Sequence, residues 1–349
     1  MTTRMRAIRM HRFGGPDVLV QEQVPVPAPG PGQLLVEVAY CGICRHDLLT
    51  RAGAFPSISL PLTLGHQVSG RVVEVGSAAE GFAVGDRVMT MIYTGCGTCP
   101  RCQEGNDALC VGTRPQFLGE DRDGGYAEYV AVEARVTVPL PDAVSLPEAA
   151  IATCTLGTAY HAIATRGAVQ AGETVAITGA SGGVGVHAVR IARMLGATVV
   201  GIVSGEEKAR SVEAAGADHV LVSPTRTFAK ELRSRLGRQV DVVVDVVGAP
   251  TLRESLHAVR PGGRVVVVGN VEGKEVSIPP AYLILKEVAL LGTKSCTTPE
   301  MTELLEAVAS GRLVAEVTDV APLTGARGVH EDMEAGRGSG RSVLEVAGG

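Results

Sequence analysis

Thr178-Gly179-Ala180-Ser181-Gly182-Gly183-Val184-Gly185 decides how the second half of this chain folds. The run follows a short apolar stretch at 174–178. It opens an amphipathic stretch at 184–195 that stops before Gly196. The pattern is G-x-x-G-G-x-G, one residue longer than the usual dinucleotide fingerprint. The physics is the same. Glycines let the backbone approach a pyrophosphate, and a helix N-terminus offers free N–H groups and partial positive charge. A glycine-rich turn without a ligand is the alternative, and the strand–loop–helix context argues against it.

Reading outward, Val-rich strands are expected at 198–203, 219–222, 240–247, 264–268 and 288–291, with a helix at 206–215 ending at Gly216. Continuous apolar strands alternating with amphipathic helices predict a parallel sheet covered on both faces. With 174–178 these make six strands, which suits an α/β doubly wound nucleotide-binding fold. Residues 1 to about 150 read differently. Short strands at 34–39, 70–75 and 87–91 are cut by Pro- and Gly-rich turns, and the run 25–32 cannot be helical. The last 55 or so residues hold a helix at 299–310 and short strands. They are too few to fold alone and are expected to pack back onto the first domain. The expected domains are therefore 1–154, 155–291 and 292–349.

The second strand decides between NAD and NADP. NAD sites place Asp or Glu about 20 residues after the glycines. Here the segment reads Ile202-Val203-Ser204-Gly205-Glu206-Glu207-Lys208. A carboxylate at Ser204 would repel a 2′-phosphate by on the order of 4 kcal/mol at close range. A hydroxyl and an ammonium would accept it. NADP(H) is the expected cofactor, with Ser204 and Lys208 on the phosphate and the two glutamates toward solvent.

Bulk properties narrow the classes. The chain has 349 residues, enough for two domains. Aromatics make up 3% with no Trp, so base-stacking platforms are not expected. A net charge of −5 without like-charge blocks argues against nucleic-acid or anionic-membrane surfaces. Residues 1–13 lack the apolar run of a signal peptide, and no stretch of about 18 apolar residues occurs. The protein is expected to be cytoplasmic and to act on a small molecule. Eight cysteines then point to metal or catalysis before disulfides.

Four of them, Cys96, Cys99, Cys102 and Cys110, fall within fifteen residues. Zinc needs four donors at tetrahedral corners with Zn–S about 2.3 Å, and two-residue spacers let successive thiolates converge. Such a closed site is structural, and its binding energy is roughly 10–16 kcal/mol in small domains. Free thiols, a disulfide pair or an iron–sulfur cluster are the alternatives.

Three further segments are bland singly: Tyr40-Cys41-Gly42-Ile43-Cys44-Arg45-His46-Asp47-Leu48, Gly65-His66-Gln67, and Thr153-Cys154-Thr155-Leu156-Gly157-Thr158. With the four-cysteine loop and the nucleotide fold, they resemble the zinc-containing alcohol dehydrogenases of the medium-chain dehydrogenase/reductase family. The resemblance covers nearly the whole chain. Between Thr178 and Thr293 it is close to the acryloyl-CoA reductases of that family.

The resemblance implies a GroES-like catalytic domain before the Rossmann domain. It implies two zinc ions per chain. One is structural; the other is catalytic, held by Cys44, His66 and Cys154 with a fourth position open. Asp47 would orient His66. Thr158, Gly269 and Asn270 would lie near the nicotinamide. Arg45 and Arg341 would reach the cofactor, or else remain solvated charges. Cys41 and Cys296 are left as core thiols. A homodimer or homotetramer is implied.

Two departures stand out. The family usually has Glu at Gln67, so the zinc site carries one less negative charge and a stronger Lewis acid. The family usually has Ser or Thr at His46, whose hydroxyl passes the alcohol proton toward a more distant His. Leu49 stands at that distant position. We expect a shortened relay in which the His46 imidazole exchanges the proton itself. A hydrogen bond from His46 to the cofactor ribose is the alternative.

Reversible alcohol/carbonyl oxidoreduction, of EC 1.1.1 type, is the expected activity. Reduction of an activated C=C bond in an enone or enoyl thioester, of EC 1.3.1 type, is the second expectation. A non-catalytic sensor on the same fold is the third, and the intact motifs disfavour it. Phe55, Ile58, Phe117 and Tyr282 are the candidate pocket residues.

Overall fold

The computed structural model describes residues 3–55, 57–338 and 341–347. The chain divides into two compact units. One comprises Met1–Cys154, Cys296–Gly311 and Ala315–Gly349; the other comprises Thr155–Ser295 and Arg312–Val314. No described helix is long and apolar enough to cross a membrane.

In the second unit, strands Thr174–Thr178, Thr198–Val203, His219–Val222, Val240–Asp245, Val259–Val267 and Ala289–Gly292 form one parallel sheet. Counted in chain order, they lie 3-2-1-4-5-6 across it. This is the doubly wound order, and it reverses beside the first strand, where such folds bind ligands. The first strand is buried along its whole length, which explains its unbroken apolar sequence.

Three sequence boundaries shift for physical reasons. The fourth strand stops at Asp245, two residues early. The carboxylate of Asp245 is fully buried there and accepts from the Val247 and Gly248 N–H groups and the Thr178, Thr251 and Ser255 hydroxyls, which turns the chain. The fifth strand begins at Val259, because a bulge opposite Asp241 takes up Pro261 and its neighbouring glycines. The helix expected at 206–215 opens as a 3₁₀ turn, Glu206–Lys208, before the α-helix Ala209–Ala214.

The first unit is built on strand Gln33–Ile43. Strand Gln67–Val75 pairs with it, as do Tyr129–Glu133 and Ser342–Glu345, all antiparallel. Its alternate apolar side chains, Leu34, Val36 and Val38, join Val68, Val72 and Val130 in one core. Both central strands are longer than the sequence pattern suggests, and the added residues matter. Gly42 pairs with Gln67, so Cys44 and His66, which follow and precede these strands, emerge side by side. A helix at Ala326–Glu334, which the sequence did not disclose, packs Ala326, Val329 and His330 inward. Its apolar positions, Ala326, Val329 and Met333, follow helical spacing, but the helix is only nine residues long.

Candidate functional site

Cys44 is the N-cap of helix Arg45–Ala52. Its backbone N–H donates to Asp47 Oδ2 across 2.8 Å. The other oxygen of Asp47 faces His66 Nδ1 across 3.1 Å. One buried carboxylate therefore fixes the strand end that carries Cys44 and the ring of His66. Since the carboxylate accepts, Nδ1 carries a hydrogen, and Nε2 is the atom left to ligate once it is deprotonated. Nε2 lies 3.5 Å from Cys44 Sγ.

Gly65 gives His66 its approach. At φ +100° it adopts a conformation few side chains tolerate, and an added Cβ would collide with Tyr126 and Cys41. Cys154 lies in a π-helical segment, Ala152–Leu156, of the kind found where helices serve a site. Thr153 anchors it by donating to the Thr90 carbonyl across 2.8 Å. Cys154 Sγ is 3.9 Å from Cys44 Sγ.

The three donor atoms lie within 4.8 Å of one another. A tetrahedral zinc ion with Zn–S about 2.3 Å and Zn–N about 2.0 Å has edges of about 3.5–3.8 Å. The donor chemistry and spacing fit that ion, with three corners filled. Burial pushes the Asp47 carboxyl up, but the His66 charge and hydrogen bond and the Cys44 N–H outweigh it and hold the carboxyl below its usual range. The hydrogen bond to Cys154, together with burial, holds the Cys44 thiol well above its usual range, so loading this set releases protons.

His46 is one-third exposed beside this set. Phe55 and Phe117 stack on its ring at centroid distances of 4.9 and 4.6 Å. Its Nε2 lies 2.6 Å from Glu120 Oε1, and the Thr50 hydroxyl donates to the same oxygen across 2.6 Å. Sequence reasoning missed Glu120. Thr50, four residues beyond His46 on one helix face, was the only nearby signal. Of the other candidate pocket residues, Ile58 packs against the core, and Tyr282 lies in the second unit with its hydroxyl on His257. Gln67 is fully buried, and neither polar atom of its amide has a hydrogen-bond partner among the described residues.

The four clustered cysteines also converge. Cys99 Sγ lies 3.6 Å from Cys102 Sγ and 3.8 Å from Cys110 Sγ. A disulfide would need about 2.0 Å, whereas the tetrahedral edge for four thiolates is about 3.8 Å. The Cys96 and Thr113 N–H groups draw the Cys110 thiol down to about 5. The Cys102 and Val111 N–H groups draw Cys99 down to about 7, while burial raises Cys102. Asp107 braces the loop by accepting from the Gly95 N–H and from Arg135. Cys41 and Cys296 are both buried.

In the second unit, Gly179 turns the chain at φ +60°. Gly182 caps helix Gly183–Met194. A Cβ on Gly185 would come within 2.2 Å of the Gly179 carbonyl, so only glycine lets helix and turn meet this closely. Ser181 and Val184 are half-buried in this turn. Lys208 Nζ donates to Ser204 Oγ across 2.8 Å. Glu206 and Glu207 are both exposed, and one Glu207 carboxylate oxygen stands 3.9 Å from Lys208 Nζ.

The Gly179 turn, Ser204 and Gly269 each follow the C-terminal end of a parallel strand and so share one edge of the sheet. Asn270, exposed beside Gly269, accepts from the Ala249 N–H and donates to the Lys274 carbonyl. Thr158 lies in the short helix Gly157–Tyr160. In the first unit, Arg45 is exposed, whereas Arg341 is buried and paired with Glu316 at 3.1 Å.

Comparison with known proteins agrees with this architecture. Residues 30–142 match the family model of the alcohol dehydrogenase GroES-like domain, and residues 183–310 that of zinc-binding dehydrogenases. An acryloyl-coenzyme A reductase of Sulfurisphaera tokodaii is 37% identical over 295 residues, covering 84% of this chain and 86% of its own. An NAD-dependent alcohol dehydrogenase of Sulfolobus acidocaldarius is 34% identical over 354 residues, covering 98% and 100%. The crystal structure of AibC superposes with a TM-score of 0.93 at 41% identity, covering 99% of this chain and 97% of that one.

Proposed function

We propose that this chain, which belongs to the zinc-containing alcohol dehydrogenase branch of the medium-chain dehydrogenases/reductases, exchanges hydride between NADP(H) and an alcohol or its ketone or aldehyde. The observation that carries this reading is the three-donor set Cys44, His66 and Cys154, whose ligand atoms lie within 4.8 Å of one another with no fourth His, Cys, Asp or Glu donor grouped with them among the described residues. Zinc at that set would supply Lewis acidity, and the nicotinamide would supply or take the hydride.

The chain's own residues do the rest. Asp47 orients His66. Gln67 leaves the set one negative charge poorer than a glutamate would. His46 exchanges the proton. The Gly179–Gly185 turn holds the pyrophosphate through N–H groups, and Ser204 and Lys208 take the 2′-phosphate. Thr158, Gly269 and Asn270 flank the nicotinamide, and Arg45 and Arg341 lie on the cofactor's path. Cys96, Cys99, Cys102 and Cys110 hold a second, structural zinc.

The identity to an acryloyl-coenzyme A reductase favours a second reading. In it, hydride goes to the β-carbon of an enoyl thioester or enone. One experiment separates the two. Zinc content per chain is measured, and NADPH and NADH oxidation is followed with ketones, aldehydes, enones and acrylyl and crotonyl thioesters. Carbonyl turnover with two zincs supports the first reading. Turnover of thioesters or enones alone replaces it with the second. Equal or better kcat/KM with NADH rejects the cofactor assignment.

A further inference from the structure

Leu49 leaves the relay without its distant imidazole, so the proton that reaches His46 needs another way out. Helix Arg45–Ala52 presents His46 and Thr50 on one face, and both meet Glu120 Oε1, each at 2.6 Å. Glu120 stands in the turn that follows Phe117. Its N–H and that of Asp121 both donate to the Phe117 carbonyl, at 3.2 and 2.9 Å. The turn that stacks Phe117 on the imidazole therefore also aims the carboxylate at Nε2.

The Glu120 side chain is 13% exposed and borders a polar cleft of about 480 Å³ that Ser57, Arg114, Asp121 and Asp123 also line. It is an acceptor that meets His46 and Thr50 and also lines this cleft.

We propose that Glu120 is the positioning residue of the proton path: it fixes the tautomer and orientation of His46 and joins it to water in the cleft. This rests on the reading of His46 as the proton carrier. A carboxylate at Nε2 requires hydrogen there, which leaves the Nδ1 lone pair for substrate. In alcohol oxidation the C–H bond breaks and its electron pair leaves as hydride to the nicotinamide. The hydroxyl proton passes to Nδ1 of His46, and the Nε2 proton to Glu120 and on to water; before the next turnover the ring gives its Nδ1 proton to water and regains one on Nε2 from water through Glu120, so the net release is one proton. Carbonyl reduction runs the same steps backward. One proton is exchanged per hydride.

The test compares Glu120→Gln, Glu120→Ala and His46→Ala in the zinc-loaded enzyme, with whichever of benzyl alcohol or crotonyl thioester is turned over. Glu120→Gln keeps an acceptor but cannot take a proton. Both Glu120 variants are expected to lose on the order of 10²-fold in kcat with little change in KM. Formate should restore part of the Glu120→Ala loss. The ¹⁵N shifts of the His46 ring, read on the zinc-free protein as well, should show hydrogen on Nε2 in the parent and a mixture in Glu120→Ala.

Glu120→Gln turning over like the parent overturns the path, as does a Glu120→Ala loss without formate rescue and with unchanged ring shifts. If Glu120→Ala fails to fold, Glu120→Gln and the ring shifts decide. Full turnover by His46→Ala overturns the reading beneath. An inactive His46→Ala beside active Glu120 variants overturns only the role of Glu120.

Discussion

Asp47 Oδ1 accepts from Nδ1 of His66 across 3.1 Å, and both side chains are buried. Because the same carboxylate also holds the Cys44 N–H, replacing it disturbs two proposed ligands together. Asp47→Asn is expected to weaken zinc at the Cys44–His66–Cys154 set by about 10–100-fold, the usual cost of losing such a support. The four-cysteine site should be untouched. Competition with a chelator should therefore release one zinc early from the variant and the second as in the parent. Two zincs held with parental affinity would count against this role.

The loop at 95–113 should depend on its own ion. Cys99 Sγ stands 3.6 and 3.8 Å from the thiols of Cys102 and Cys110, and the loop has little apolar packing of its own: Val111 is 75% exposed. Cys102→Ser is expected to leave one zinc per chain, lower the Tm and open this loop to limited proteolysis. Reductant without chelator should leave the Tm unchanged. A reductant-sensitive Tm would instead indicate a disulfide.

Local signals and distant ones separate here. The Gly179–Gly185 loop, the Val-rich strands and the four-cysteine run are each written in contiguous residues, so periodicity and spacing expose them. Cys44, His66 and Cys154 are far apart in sequence, and family resemblance supplied what spacing could not. Glu120 had neither. It lies 74 residues from His46, and only the packing of the Phe117 turn brings them together. The same holds for His330: Ala326, Val329 and Met333 mark the inward face of its short helix, but nothing local says that a histidine on that face meets Arg51 and Tyr126. Strand ends were misjudged where a side chain, Asp245, or a bulge at 260–263 overrides propensity.

Cofactor choice should turn on Ser204 and Lys208, already joined at 2.8 Å. Ser204→Asp would put a carboxylate against the 2′-phosphate, a repulsion on the order of 4 kcal/mol at close range. The ratio of kcat/KM for NADPH over NADH is expected to fall by at least about 100-fold. Glu207 competes for the same ammonium at 3.9 Å, so Glu207→Gln should raise the ratio a few-fold. An unchanged ratio in Ser204→Asp would remove Ser204 from the phosphate site.

His330 should set part of the acid limit of stability. Arg51, which can only donate, gives a hydrogen to Nδ1 across 3.1 Å, so the neutral ring carries hydrogen on Nε2 and donates it to the Tyr126 hydroxyl at 3.2 Å. Burial lowers its pKa, Arg51 adds to that, and Asp47 and Glu334 oppose it; the outcome is about 4 against an ordinary 6.5. Between those values the unfolded chain binds a proton that the folded chain refuses. Unfolding free energy therefore rises with pH across this window. The contribution is intact above about pH 6.5 and is lost as pH falls toward 4, costing about 2 kcal/mol at pH 5. Glutamine can accept from Arg51 and donate to Tyr126 without titrating. Urea unfolding of His330→Gln and parent, at pH 7 and pH 5 with saturating zinc, isolates this histidine because the other titrating groups are common to both. The variant should lose about 2 kcal/mol less than the parent on acidification. Equal losses would mean that His330 binds its proton in the folded state as readily as in the unfolded chain.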